Sequence, residues 1–424
     1  MSTIFGDQSD PSIPETLSGK QHGKNQTLTG IDNEQNFLAG DVDTITDKAK
    51  GGNDHLTGGN NSNVSFVLNT LAGDAVIMSG SAQGGNDTLI GGDYSGSSDV
   101  TGTSSLVRNF LGGDAFDMSG SAHGGNDSLI GGNNTGAGSS FSPSFFVVDN
   151  GLAGDVVNGD MSDSARGGND TLIGGSNSGS GDGFLVTNLL QGEANNMFDD
   201  THGGDDTLIG GNNSGSGNGL VLNRIAGDGG AMLGSAQGGD DTLIGGSNSG
   251  SGSVVNSLAG DAGIMSGTTQ GGDDTLIGGS NSGSGSVENT LRGDATELFS
   301  GGPVHAGDDT LVAGTASAGT VKNTMWGDAQ IVNAGVTVTF GHDTFVFQDN
   351  VAAGLTVGTQ NFIGDFQQGL DVIKFIGVAG ASSFAELSPH ITTDGVSTFI
   401  ETTNDKVTLL GFHGTMTAND FLFG

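Results

Sequence analysis

Gly271-Gly272-Asp273-Asp274-Thr275-Leu276-Ile277-Gly278-Gly279 is the stretch whose reading decides the fold. Its glycine pairs tolerate tight turns at no steric cost. Between them, Thr275-Leu276 reads as a short strand with leucine inward and threonine outward. The same stretch returns along the chain. Gly-Gly pairs begin at Gly51, Gly84, Gly124, Gly167, Gly203, Gly238 and Gly271, with Ala306-Gly307 as a worn eighth copy, in steps of 33, 40, 43, 36, 35, 33 and 35 residues. Self-similarity at such a period marks a stacked array.

Each unit also holds a second, related half. Asp87-Thr88-Leu89-Ile90-Gly91-Gly92 aligns with Asn69-Thr70-Leu71-Ala72-Gly73-Asp74. Two columns emerge. One is Asp54, Asp87, Asp127, Asp170, Asp206, Asp241, Asp274 and Asp309; the other is Asn69, Asn109, Asn150, Asn188, Asn223, Asn256, Asn289 and Asn323. A Leu, Ile or Met sits two residues after every member of both. No unit can bury its own apolar side, so stacking must create the core. The expected fold is all-β: a right-handed parallel β-solenoid or β-roll of repeats of about 35 residues with a C-terminal β cap. Whether a unit is one wide coil or two narrow ones stays open.

A third column follows the acidic turn. Met78, Met118, Met197, Met232 and Met265 lie four residues after Asp74, Asp114, Glu193, Asp228 and Asp261, and Leu298 and Val332 hold the same place later. Replacement by Leu and Val reads as core filling, for which methionine is an adaptable residue. Between the halves lie variable inserts, short and flexible in Ser176-Asn177-Ser178-Gly179-Ser180-Gly181 and longer at 93–108 and 133–148. The organisation expected is degenerate capping repeats over 1–50, a regular solenoid over 51–340, and a Phe-rich β module over 341–424.

Composition narrows the function classes. Gly is 82 of 424 residues and Pro only 5, which disfavours long helices and a collagen-like chain alike. Eleven Lys+Arg against 48 Asp+Glu leave a net charge of −37. That disfavours nucleic acid and anionic membrane surfaces as partners. A compact chain of this charge repels itself unless cations neutralise it. Without cysteine there is neither a disulfide nor a thiolate metal site. No apolar run is long enough to span a membrane. The start, Met1-Ser2-Thr3-Ile4-Phe5-Gly6-Asp7, lacks the basic and apolar regions of a secretory leader.

The aspartate column demands a counter-charge. Equivalent residues in stacked coils lie about 4.8 Å apart. Two carboxylates at that distance repel by roughly 1 kcal/mol in water and about 3–4 kcal/mol at an effective dielectric of 20. Lys and Arg are too few to answer this. Calcium fits, as a hard cation taking 6–8 oxygens from carboxylates and carbonyls. Magnesium prefers a rigid octahedron with retained waters, and zinc lacks its Cys and clustered His ligands here. A second acidic set, Asp74, Asp114, Asp155, Glu193, Asp228, Asp261, Asp294 and Asp328, reads either as auxiliary calcium ligands or as solvated Asx turns.

Gly85-Asn86-Asp87-Thr88-Leu89, Gly168-Asn169-Asp170-Thr171-Leu172 and Gly272-Asp273-Asp274-Thr275-Leu276 resemble the G-x-D-x-U half of the RTX, or haemolysin-type, calcium-binding nonapeptide. The resemblance covers about 51–345, and it departs where the preceding Gly-Gly is replaced, as in Ala82-Gln83, and where the other half carries Asn. It implies calcium at the Asp-bearing turns, leaving the Asn column as an amide ladder. The segments Asp343-Thr344-Phe345-Val346-Phe347, Ile363-Gly364-Asp365-Phe366, Val407-Thr408-Leu409-Leu410-Gly411-Phe412 and Asn419-Asp420-Phe421-Leu422-Phe423-Gly424 resemble the terminal module of RTX proteins. This implies a C-terminal, uncleaved signal for a type I secretion exporter and an extracellular location.

No enzyme is legible. His123, His202 and His305 share one repeat position and read as solvated turn residues. There is no HExxH and no phosphate loop. Acid pairs on every turn carry no glycosidase signal. About 50 residues ahead of the array are too few for the catalytic domain that RTX proteins often carry. The expected function is therefore a secreted calcium-binding scaffold that self-assembles into a homopolymeric filament, matrix or surface layer. The alternative is an adhesin that binds a surface or glycan through its inserts.

Overall fold

A computed structural model describes residues 2–6, 16–62, 64–96, 105–137, 146–348, 358–403 and 405–424. The long inserts 93–108 and 133–148 are described only at their flanks, and 97–104 and 138–145 lie outside the described residues.

Each repeat is one wide coil with three β faces. In the coil opened by Gly271, Thr275–Ile277 forms the first face, Ser286–Arg292 the second and Ala295–Phe299 the third. Strands pair with the equivalent strand one coil on, always in parallel through the array: Thr275 opposite Thr310, Asn289 opposite Asn323, and Ala295 opposite Ala329. Among the described residues this builds sheets of 12, 14 and 10 strands for the first, second and third faces. The chain is thus a β-solenoid of long parallel sheets. Inserts change the length of a coil without shifting the register of the next.

Alternation along each strand decides which side chains enter the coil. Every Thr-Leu-Ile strand of the first face buries its Leu and leaves its neighbours half-buried. On the second face Leu71, Leu111, Leu152 and Leu190 point inward, and they pack with Leu89, Leu129 and Leu172 of the first face in one continuous core. That common core explains the paired half-units in the sequence. Both halves deliver a buried Leu to the same interior from two different faces. The third face adds a separate core, in which Met78, Met118, Met161, Met197, Met232, Met265 and Leu298 stack with a ladder of alanines. Val332 departs from this column, being 44% exposed on the last strand of its face.

The parallel sheets run on through the C-terminal residues. Thr344–Gln348, Val372–Ile376 and Phe421–Phe423 continue the first face, and Gly358–Ile363 and Lys406–Leu409 the second. The second face then ends in antiparallel strands, Thr398–Glu401 and Ile391–Thr393, beside a short helix at Phe384–Leu387. Phe345, Phe375 and Phe421 take over the core from leucine.

The Ser/Asn/Gly turns between the first and second faces are pinned, contrary to the flexible reading of 176–181. Asn134, Asn177, Asn213, Asn248 and Asn281 are buried, and each of the first four donates its side-chain amide to the next at 2.6–3.1 Å.

Candidate metal centre

Two tight turns position the acidic side chains. The first precedes each first-face strand and carries Asp54, Asp87, Asp127, Asp170, Asp206, Asp241, Asp274 and Asp309. The second joins the second and third faces and carries Asp74, Asp114, Asp155, Glu193, Asp228, Asp261 and Asp294. All fifteen are buried. The two columns face each other inside the coil. Their glycines have a steric role there: a Cβ on Gly73 would overlap the Gly113 carbonyl and Asp87 Oδ2, and one on Gly84 would overlap Asp114 Oδ1.

These acids use one oxygen to hold a neighbouring turn, except Asp155, whose two oxygens share Gly168 N–H at 3.3 Å. Asp87 N–H donates to Asp127 Oδ1 at 2.7 Å, Asp206 N–H to Asp241 Oδ1 at 2.7 Å, and Asp309 N–H to Asp343 Oδ1 at 3.0 Å. Gly85 N–H donates to Asp74 Oδ2 at 2.8 Å, Gly125 N–H to Asp114 Oδ2 at 2.9 Å, and Gly204 N–H to the longer Glu193 through Oε1 at 2.5 Å. The second oxygen is left over. Oδ2 of Asp87, Asp127, Asp170, Asp206, Asp241, Asp274, Asp309 and Asp343, Oδ1 of Asp74 and Asp114, Oε2 of Glu193, and Oδ2 of Asp228, Asp261 and Asp294 are buried without a hydrogen-bond partner. A buried polar atom without a partner costs about 1–3 kcal/mol, and more when charged. Repeated along both columns, such atoms call for a ligand.

The leftover oxygens belong to groups that converge. Carboxylate oxygens of Asp41, Asp54 and Asp74 lie within 4.8 Å of one another, as do those of Asp74, Asp87 and Asp114, and those of Asp114, Asp127 and Asp155. Each group takes one acid from the first column and two successive acids from the second. Calcium–oxygen distances of about 2.3–2.6 Å place opposite ligands roughly 4.6–5.2 Å apart, so this spacing suits an ion shared by the group. Nitrogen and sulfur donors are absent from it, which matches a hard cation.

Burial, and after it the neighbouring carboxylates, push the Asp74, Asp127, Asp155, Glu193, Asp241, Asp274 and Asp294 carboxyls well above the ordinary range. Burial is likewise the first cause for Asp261, pushed to about 7, and Asp343, pushed to about 9. The interior therefore takes up either protons or metal cations.

The Asn column is chemically the opposite. Asn109 Oδ1 accepts from Asn69 Nδ2 and from Gly92 N–H at 2.8 and 2.9 Å, while Asn109 Nδ2 donates to Asn150 Oδ1 and Gly92 O at 2.8 and 3.1 Å. The ladder runs from Asn36 to Asn361. It is saturated, leaving these amides no capacity for an ion.

Among the other sequence candidates, Gly85, Gly168 and Gly272 sit in the buried turns and donate their N–H groups to the second acid column. Asn86, Asn169 and Asp273 face outward and are exposed, apart from the buried oxygens. Two ends were missed. Asp41, buried, opens the second column, and Asp371 closes the first by accepting from Asp343 N–H at 3.3 Å. The spacing Asp371-Val372-Ile373 repeats the Asp-x-apolar signal and identifies that last rung. Asp328 is already satisfied, by Gly341 N–H and Gln367 Nε2. No family model, curated protein or solved structure matches the chain.

Proposed function

We propose that the chain is a calcium-loaded scaffold of the RTX type, exported through its C-terminal module by a type I secretion system and self-assembling outside the cell into a filament, matrix or surface layer. The observation that carries the reading is the run of fourteen buried carboxylate oxygens without partners, on two columns that converge. In this reading Asp54 to Asp343 and Asp74 to Asp294 supply the charge, and calcium neutralises it coil by coil. Calcium is scarce inside cells and abundant outside, so ions needed on every turn would couple folding to export.

The structural role follows from the form of the molecule. A rod of equivalent stacked coils suits lateral and end-to-end assembly. Two of its grooves are open and polar, one lined by Asn and Ser such as Asn248 and Ser249, the other by Lys and Gln such as Lys50 and Gln83.

Flow dialysis against calcium tests the reading. Several ions should be retained per chain, and the double variant Asp127→Asn/Asp170→Asn should retain fewer while keeping its β signal in excess calcium. Retention of no calcium would contradict it. Electron microscopy with and without chelator tests assembly: ordered polymers are expected in calcium, and monomers alone would remove the scaffold role.

A further inference from the structure

One edge of the solenoid carries a charge gradient along the rod. This edge is the outer turn from the third face to the first. Its bridged column runs His22, Lys50, Gln83, His123, Arg166, His202, Gln237, Gln270 and His305, one per coil. Three residues on, a second outward column runs Asn25, Asn53, Asn86, Asn126, Asn169, Asp205, Asp240, Asp273 and Asp308. That second column is a ladder too, as Asp273 N–H donates to Asp240 Oδ1 at 2.9 Å and Asp308 N–H to Asp273 Oδ1 at 2.8 Å.

Counted with neutral histidines, segments 18–25 and 46–53 carry +2 and +1. Segments 79–86, 119–126 and 162–169 are neutral, and 198–205, 233–240, 266–273 and 299–308 carry −3, −1, −1 and −1. Four of the 11 Lys+Arg of a chain of charge −37 lie in the first two segments. Lys20, His22, Lys48 and Lys50 line one groove of about 390 Å³ with Ser81 and Gln83. Lys20, Lys48 and Lys50 are exposed and form no salt bridge among the described residues. The exposed Asp205, Asp240 and Asp273 likewise have no cationic partner there.

We infer that two copies of the chain pair side by side and antiparallel along this edge, the cationic first coils of each against the aspartate ladder of the other. The ladder continues past His305 to Thr339, and an antiparallel pairing with its two-fold axis at 162–169 sets the rows that follow. Segment 18–25 meets 299–308, 46–53 meets 266–273, and the neutral 162–169 lies on the axis. The coil spacing is the same on both copies, so the rows stay in register over the overlap of about 40 Å. Each favourable row is made twice, as a self-complementary interface requires. The inference gives the self-association proposed above its surface and orientation, and it rests on that reading.

Charge exchange tests it, with sedimentation velocity in millimolar calcium as the readout and circular dichroism as the folding check. Wild type should sediment as a dimer or larger at low salt and dissociate as sodium chloride is raised. Lys20→Glu/Lys48→Glu/Lys50→Glu should weaken association about tenfold or more. Asp240→Asn/Asp273→Asn/Asp308→Asn should weaken it too, and Asn at this place is tolerated in earlier coils, where Asn169 N–H bonds Asn126 Oδ1. Asp240→Lys/Asp273→Lys/Asp308→Lys should fail to associate alone yet pair with the Lys→Glu variant, because both halves then complement. Wild type that associates while the variants do so equally, or a mixture without rescue, overturns this edge and leaves self-association standing. A wild type that stays monomeric at low salt overturns both.

Discussion

At the scale of single residues, the two ladders differ by one atom. Asn188 lies on the second face of one coil and Asp206 in the turn that opens the next; both are buried, and each passes a hydrogen bond to its equivalent one coil on. The amide presents a donor and an acceptor, so a stack of amides satisfies itself. A carboxylate presents two acceptors, so a stack of carboxylates always has one oxygen over. Asn188→Ala should accordingly destabilise the calcium-loaded protein by about 2–4 kcal/mol, since Gly175 N–H and Gly175 O lose their shared partner. Chemical denaturation in excess calcium measures it, and a change under about 0.5 kcal/mol would mean the ladder is incidental. Periodicity made both columns legible in the sequence. It did not reveal that the two acid columns face each other, because that contact is set across the width of the coil. The buried Asn177 ladder was obscured by its Ser/Gly surroundings, which locally read as a flexible linker.

Within the β elements, alternation does the sorting. Leu208 is wholly buried between Thr207 and Ile209, which face out half-buried. Leu208→Ala should cost about 2–5 kcal/mol and Thr207→Ala well under 1 kcal/mol, read by thermal melts in calcium. Equal effects would refute the inward assignment. The glycine turns are as constrained as the strands: Gly113→Ala would force a Cβ onto Asp127 Oδ2 and the Gly154 carbonyl. A lowered melting temperature with fewer retained calcium ions is expected, and a silent substitution would show the turn to be roomier than described. The half-repeats in the sequence left one wide coil and two narrow ones equally open. Asp-Thr-Leu and Asn-Thr-Leu obey the same local rule, and only the pairing of each strand with its counterpart a whole repeat away separates them.

On the scale of the whole molecule, two facing acid columns run through the interior beside the leucine and methionine cores, and the account makes their neutralisation the condition for folding. Protons are one neutraliser. In the metal-free protein, burial holds Asp261 near 7, Asp365 near 8 and Asp343 near 9, all above their unfolded value of about 4. A raised folded value means that the fold binds extra protons. Their stabilisation is complete below about pH 4 and is lost as pH rises through 7 to 9. With chelator present, the β signal should therefore be retained in acid and disappear towards alkaline pH; a signal that strengthens with pH would reverse the sign. In the proposed reading, calcium is the neutraliser that takes over as pH rises through 7 to 9 and the protons leave. The most direct measurement is far-ultraviolet circular dichroism above about pH 9 and at low ionic strength, where the protons have left, before and after exhaustive dialysis against EDTA. The account predicts loss of the β spectrum on chelation and its return with excess calcium; an unchanged β spectrum without divalent ions would contradict it.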